Sequence, residues 1–186
     1  MARFKKVETN IKDVIIIENE PFFDNRGYFY ETYNKKEYEQ IGIKKEFIQD
    51  NQSMSSKGVL RGLHFQINFP QAKLLRCIYG EVFDVCVDLR KGSSTFGQYV
   101  STILSEKNHK EFYIPEGFAH GFLVLSDKAV FSYKVTDYYH SNDEGGIIWN
   151  DQDINIDWPI QNDFILSFSN KDTKWGSFKE YLKNYN

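Results

Sequence analysis

An all-β fold of the jelly-roll type, with short peripheral helices, is what this sequence predicts. Short runs of β-branched and aromatic residues recur at roughly 8–12-residue spacing with turn residues between them, the pattern of a sandwich or barrel. Phe, Tyr and Trp make up 17% of the chain, and these residues favour pleated strands. Helical periodicity, by contrast, is weak everywhere except near the C-terminus.

Taken in order, residues 14–17 form a β-branched run and residues 27–33 alternate around Tyr28 and Tyr30. Runs at 46–49, 59–65 and 74–79 follow. Val82-Phe83-Asp84-Val85-Cys86-Val87-Asp88-Leu89 then alternates with a period of two, which puts Asp84 and Asp88 on one face. Runs at 100–104, 112–114, 122–125, 130–135 and 147–149 complete the series. Gly80-Glu81, Lys91-Gly92-Ser93, Pro115-Glu116-Gly117 and Ser126-Asp127-Lys128 punctuate it as turns. Residues 35–41 fit one or two helical turns. Phe178, Tyr181, Leu182 and Tyr185 recur at three- and four-residue spacing, which predicts a C-terminal helix over 175–185. With no linker-like stretch and no internal repeat, residues 1–186 read as one domain.

At 186 residues the chain can bury a core without staples. Its 23 basic and 26 acidic side chains give a net charge of −3, which argues against nucleic acid as a main partner but leaves room for a local basic pocket. Cys77 and Cys86 are too few for a disulfide scaffold and read as buried free thiols. The basic start Met1-Ala2-Arg3-Phe4-Lys5-Lys6 leads into no signal-type apolar stretch, and the early apolar run at 14–17 is far too short for a membrane span. The expectation is a soluble cytoplasmic protein with no membrane partner.

Four histidines are available for chemistry near neutral pH. His109 and His140 fall in polar loops. His64 lies inside the apolar run Val59-Leu60-Arg61-Gly62-Leu63-His64-Phe65-Gln66, and His120 follows the turn Pro115-Glu116-Gly117. A lone strand histidine is more often structural than catalytic. Arg61 and His64 have opposite parity and face opposite sides unless Gly62 admits a bulge. Neither histidine has a neighbour at metal-ligand spacing, so no metal site is expected. Asp84 and Asp88 read either as water-lined or paired structural charges or as aspartates that orient a histidine. Asp172, in Ser169-Asn170-Lys171-Asp172, reads by itself as a turn residue. Tyr133 shares a face with Phe131 and Val135, as a core aromatic or as a proton donor.

The ordered strings resemble the dTDP-4-dehydrorhamnose 3,5-epimerase family, sugar-nucleotide enzymes of the cupin superfold. They are Phe23-Asp24-Asn25-Arg26-Gly27-Tyr28-Phe29-Tyr30-Glu31, Gln49-Asp50-Asn51-Gln52-Ser53, Gly58-Val59-Leu60-Arg61-Gly62-Leu63-His64-Phe65-Gln66 and Gln71-Ala72-Lys73-Leu74. Gly80-Glu81-Val82-Phe83-Asp84-Val85, Val87-Asp88-Leu89-Arg90, Pro115-Glu116-Gly117-Phe118-Ala119-His120-Gly121-Phe122, Trp149-Asn150-Asp151 and Ile156-Asp157-Trp158-Pro159 follow. The resemblance implies inversion at C3 and C5 of a dTDP-4-keto-6-deoxy sugar through an enolate, with no metal or other cofactor. It implies His64 as base, Asp172 as its partner, Tyr133 as the acid across the ring and Lys73 as the cation at the C4 oxygen. Arg61, Gln66 and His120 would line the sugar and phosphate site. Gln49, Asn51 and Glu31 would contact the nucleotide, Arg26 the diphosphate and Tyr138 the thymine. Glu144 and Lys171 would bind more weakly, and Asp84 would be a second carboxylate near His64. A homodimer is implied in which an N-terminal segment crosses to the neighbour, carrying Arg26 and Glu31 to the partner's site. The loop Gln66-Ile67-Asn68-Phe69-Pro70-Gln71 departs from the family pattern, as does the segment around Trp175-Gly176. A C3-only epimerase, a 3,4-ketoisomerase and a non-catalytic sugar-binding cupin are the rival readings.

Overall fold

The computed structural model describes residues 3–162 and 164–185. Two sheets face each other. The six-stranded sheet contains β1 (Phe4–Glu8), β2 (Ile15–Asn19), β5 (Gln49–Ser56), β7 (Lys73–Tyr79), β10 (Lys110–Ile114) and β12 (Lys128–Val135), in the order β1-β2-β10-β7-β12-β5. The five-stranded sheet orders β13 (Glu144–Gly146), β6 (Leu60–Gln66), β11 (Phe118–Val124), β8 (Glu81–Asp88) and β9 (Tyr99–Ser105) as β13-β6-β11-β8-β9. A separate hairpin pairs β3 (Phe22–Asp24) with β4 (Gly27–Phe29). The helices are α1 (Lys35–Gln40), capped by the Asn34 side chain, and α2 (Phe178–Tyr185). No helix among the described residues is long and apolar enough to cross a membrane.

Alternation decides which side chains fill the space between the sheets. From the six-stranded sheet come Leu75, Cys77, Phe112, Ile114 and Phe131, and from the five-stranded sheet Val82, Cys86, Val100, Leu104, Phe122 and Val124. The two cysteines are free and buried. The back of the five-stranded sheet is covered as well, because Ile147, Ile154, Trp158 and Phe178 pack onto Leu60, Leu63, Val85, Val87 and Leu123. Strand β8 is therefore buried on both faces, and the period-two pattern in its sequence separates an interior row, where Asp84 and Asp88 alternate with Val82 and Cys86, from a wholly apolar outer one. Asp88 is a paired structural charge: it accepts from Arg90, Ser93 and Thr95 at the mouth of the following loop.

Several boundaries differ from the sequence expectation. The run at 46–49 precedes its strand, and β5 starts only at Gln49, with alternating polar inward residues that carry little hydrophobic signal. The run at 147–149 likewise follows its strand, because the glycines of β13 pair with β6 directly. Alternation over 27–33 ends at Phe29. His109 is not simply solvated: its ring packs 4.8 Å from that of Tyr28, while His140 stacks on Phe69 at 4.1 Å.

The bulge expected at Gly62 is present. Across β6 and β11, His64 pairs with His120 but Arg61 pairs with Phe122, so β6 takes one residue more than its neighbour. Gly62 sits at φ +129°, and a Cβ there would lie 2.5 Å from the Gly121 Cα. The extra residue turns Arg61 inward, where its guanidinium donates to Ser55 Oγ at 3.1 Å from the facing sheet. Gly62→Ala is expected to destabilise the fold by about 2–4 kcal/mol in urea unfolding, since both backbone conformation and close approach oppose a side chain.

Candidate active site

The polar residues converge in the interior between the sheets. On β6 the His64 ring reaches Asp172, which lies on a short 3-10 turn (Asp172–Lys174); Nε2 and Oδ1 are 2.5 Å apart. The carboxylate is only 2% exposed. Its Oδ2 accepts from the Ser169 hydroxyl at 2.7 Å and backbone N–H at 3.2 Å, and Oδ1 also accepts from the Gly62 N–H at 3.4 Å. Burial pushes the Asp172 carboxyl up, but the hydrogen bonds from His64, Ser169 and Gly62 outweigh it and hold it at about 2. With Nε2 donating to Asp172, the basic nitrogen of His64 is Nδ1.

A second pair stands beside the first. Both oxygens of Asp84 are 3.0 Å from His120 Nε2, and Asp84 has no exposed surface. Asp84, expected as a second carboxylate near His64, is bonded to His120, whose register neighbour is His64. Burial pushes Asp84 up, opposed by His120 and Lys73. Burial pushes His120 down, opposed by Asp84, and favours its neutral ring. Lys73 is brought down by burial to about 8, with Asp84 pulling the other way.

Facing His64 from the opposite sheet is Tyr133. Both line a cavity of about 300 Å³ together with Gln49, Asn51, Lys73 and Glu144. Burial pushes the Tyr133 phenol up, opposed by the Arg61 charge, so the hydroxyl keeps its proton at neutral pH. A second, more apolar cavity of about 480 Å³ shares Phe65, Gln66, Gln71 and Lys73 with the first.

The remaining expected residues divide. Gln49 donates to Asn51 at 2.9 Å. The Gln66 amide is engaged by backbone: Nε2 donates to the carbonyls of Phe69 (2.9 Å) and Tyr138 (3.3 Å), and Oε1 accepts from the His140 N–H at 2.8 Å. Gln66 thereby ties the 66–71 loop to residues 138–140. The Tyr138 ring is 60% exposed and stands outside the cavity lining. Its neighbour Tyr139 does line the cavity and donates to Glu144 at 3.2 Å, a contact that sequence reasoning missed between two adjacent tyrosines. Glu144 is also ion-paired with Lys171. Arg26 and Glu31 are absent from the lining: Arg26 is held by Asp24 at 2.6 Å in the β3–β4 hairpin, and Glu31 accepts from Asn34 at 3.3 Å.

A sequence model of dTDP-4-dehydrorhamnose 3,5-epimerases matches residues 8–180. The chain belongs to this epimerase family. It is 51% identical over 180 residues to the dTDP-4-dehydrorhamnose 3,5-epimerase of Methanothermobacter thermautotrophicus, covering 97% of each protein. The crystal structure of the corresponding enzyme from Elizabethkingia anophelis superposes with a TM-score of 0.90 at 49% identity, over 96% of this chain and 98% of that one. A Legionella pneumophila dTDP-6-deoxy-D-glucose-3,5-epimerase in complex with dTDP-4-keto-L-rhamnose superposes at 0.91 with 48% identity, over 94% and 93% of the two chains. The fold is accordingly the cupin-type jelly roll.

In this epimerase the charge on Lys73 depends on Asp84. Burial favours the neutral amine and the carboxylate favours the ammonium, so removing the carboxylate leaves burial unopposed. An NMR titration of the Lys73 side-chain nitrogen is expected to show a midpoint near 8, and a lower one in Asp84→Asn.

Proposed function

We propose that this cavity inverts C3 and C5 of dTDP-4-dehydro-6-deoxy-D-glucose to give dTDP-4-dehydro-L-rhamnose, with His64, Tyr133, Lys73 and Asp172 as the chemical groups. The observation that carries this reading is the imidazole of the five-stranded sheet facing the phenol of the six-stranded sheet across one cavity, with Lys73 in its wall. A hydrogen α to a ketone becomes removable when the resulting charge settles on the carbonyl oxygen. His64 Nδ1 takes that proton, the Lys73 ammonium stabilises the enolate oxygen, and Tyr133 returns a proton to the opposite face. Asp172 holds the imidazole by Nε2 and stabilises its cationic form. The ketone is itself the electron sink, so the route calls for neither metal nor redox cofactor.

In this reading Arg61 and His120 serve the sugar and phosphate end, Gln49 and Asn51 contact the nucleotide, and the exposed Tyr138 ring offers a face to thymine. Glu144 and Lys171 close the wall as a pair. L-Rhamnose supply for a polysaccharide is the role such a product serves.

The working unit in this reading is a homodimer. The β3–β4 hairpin presents Phe22, Phe23, Tyr28 and Phe29 to solvent, at 53%, 71%, 53% and 70% exposure, next to Arg26. Such an apolar hairpin suits burial against a second copy. That placement carries Arg26 and Glu31 to the neighbour's cavity.

Two experiments test these assignments. In D2O the enzyme is expected to introduce deuterium at both C3 and C5. His64→Ala is expected to abolish both exchanges while dTDP affinity changes by less than about threefold. Label at C3 alone identifies a C3 epimerase instead, a ketone at C3 in the product identifies a ketoisomerase, and dTDP-sugar binding without exchange identifies a non-catalytic cupin. For the dimer, inactive His64→Ala and impaired Arg26→Ala chains are mixed and allowed to exchange. About a quarter of wild-type activity should return, because half the dimers are mixed and each rebuilds one complete site. Failure to regain activity despite chain exchange would place Arg26 in its own chain's site or in none.

A further inference from the structure

Strand β13 is the place where the chain brings aromatic bulk against the catalytic strand. Its Gly146 is the register partner of His64, so a side chain at 146 would stand beside the imidazole on the same face of the sheet. None is there, and the indole of Trp175 fills that space. A Cβ on Gly146 would overlap the indole at Cδ2, Cε2 and Cγ, atoms of one rigid ring with no flexible end to swing away. On the other face of β13, Gly145 gives the same room to Phe65, whose ring would lie 2.5 Å from an added Cβ. The indole meets the His64 imidazole edge to face, with centroids 6.0 Å apart and planes at 69°.

We infer that Trp175 is a positioning residue for His64, holding the imidazole plane so that Nδ1 stays aimed into the cavity. Asp172 fixes the ring at one point, Nε2, and leaves rotation about that bond to be limited by packing. Proton abstraction from carbon tolerates little misalignment, of the order of 10–20° in designed and natural sites. Trp175 supplies the missing restraint from the same segment, three residues after Asp172. That segment is fastened at its other end: Lys171 pairs with Glu144 on β13 and stands 5.7 Å over the Trp175 ring. The indole Nε1–H is buried and meets no acceptor among the described residues. The ring is thus not placed for its hydrogen bond, and a phenyl ring should serve in its stead.

The inference rests on the epimerase reading, and wild-type exchange at C3 and C5 is the control that tests that reading separately. Against an active wild type, Trp175→Ala is expected to lower kcat for exchange at least about tenfold with KM changed less than about threefold, and to weaken or broaden the low-field proton resonance of the His64–Asp172 hydrogen bond. Trp175→Phe should restore kcat to within about threefold of wild type and restore the resonance. Gly146→Ala, which keeps the indole but displaces it, should show the same loss in kcat as Trp175→Ala. Trp175→Ala at near wild-type kcat, or a loss carried by KM alone, overturns the inference. Should Trp175→Ala fail to fold, the Gly146→Ala enzyme decides: unchanged kcat and an unchanged resonance overturn it, and reduced kcat with an altered resonance supports it.

Discussion

Between Arg61 and His64 strand β6 takes three steps while β11 beside it takes two, from Phe122 to His120. A regular strand would send one of these two side chains to the outer face, among Leu60, Leu63 and Leu123, where a guanidinium or imidazole would find no polar partner. The additional residue turns both toward the facing sheet, where His64 lines the cavity and Arg61, still exposed, reaches Ser55. It also frees the Gly62 N–H from the ladder to donate to Asp172, so the irregularity supplies one of the bonds that keep the carboxylate ionised. Only a residue without Cβ passes Gly121 so closely. The geometry of the base, its carboxylate and the neighbouring cation therefore traces to one backbone position.

Burying ionisable groups is costly, and here the cost is met locally. Asp84 sits with His120 and within reach of the Lys73 charge, while Asp172 collects donors from three residues. The residual effect of burial falls on Lys73, which is brought within reach of neutrality. A lysine so placed sheds a proton more readily than one in water, but it also acts on a developing negative charge without competing solvent. The apolar half of the interior, from Cys77 and Phe131 to Val82 and Val124, packs the two sheets together beside these polar groups.

Much of this arrangement was legible in the residues. Alternation placed Tyr133 with Phe131 and Val135 on the interior face, and the position of Gly62 signalled a bulge. The polar inward row of β5 was harder, since Gln49, Asn51, Ser53 and Ser55 give no hydrophobic period to read. Asp84 was legible as an aspartate that could orient a histidine, but parity within one strand does not say which histidine across the ladder lies opposite, and it is His120 that it holds. Trp175 stood out only as part of a segment departing from the family pattern; its meaning lies in two glycines about thirty residues earlier, on β13, which pairs with β6.

Asp172 shows why a catalytic carboxylate can look like a turn residue. The segment carrying it joins the start of β6 in parallel, with Val59 bridged to Ser167, Leu60 N–H donating to the Ser167 carbonyl and Ser167 N–H to that of Gly58. Gly58 has no room for a side chain because the Ile165 carbonyl presses on it. From that shared bridge both chains run five residues, to His64 along the strand and to Asp172 along the segment, and there they meet. The base and the carboxylate are reached by two short paths from one anchor, one of which passes through the Gly62 bulge. A local sequence window sees only Ser169-Asn170-Lys171-Asp172, a turn. The bonds that make it part of an active site are made to residues more than a hundred positions away.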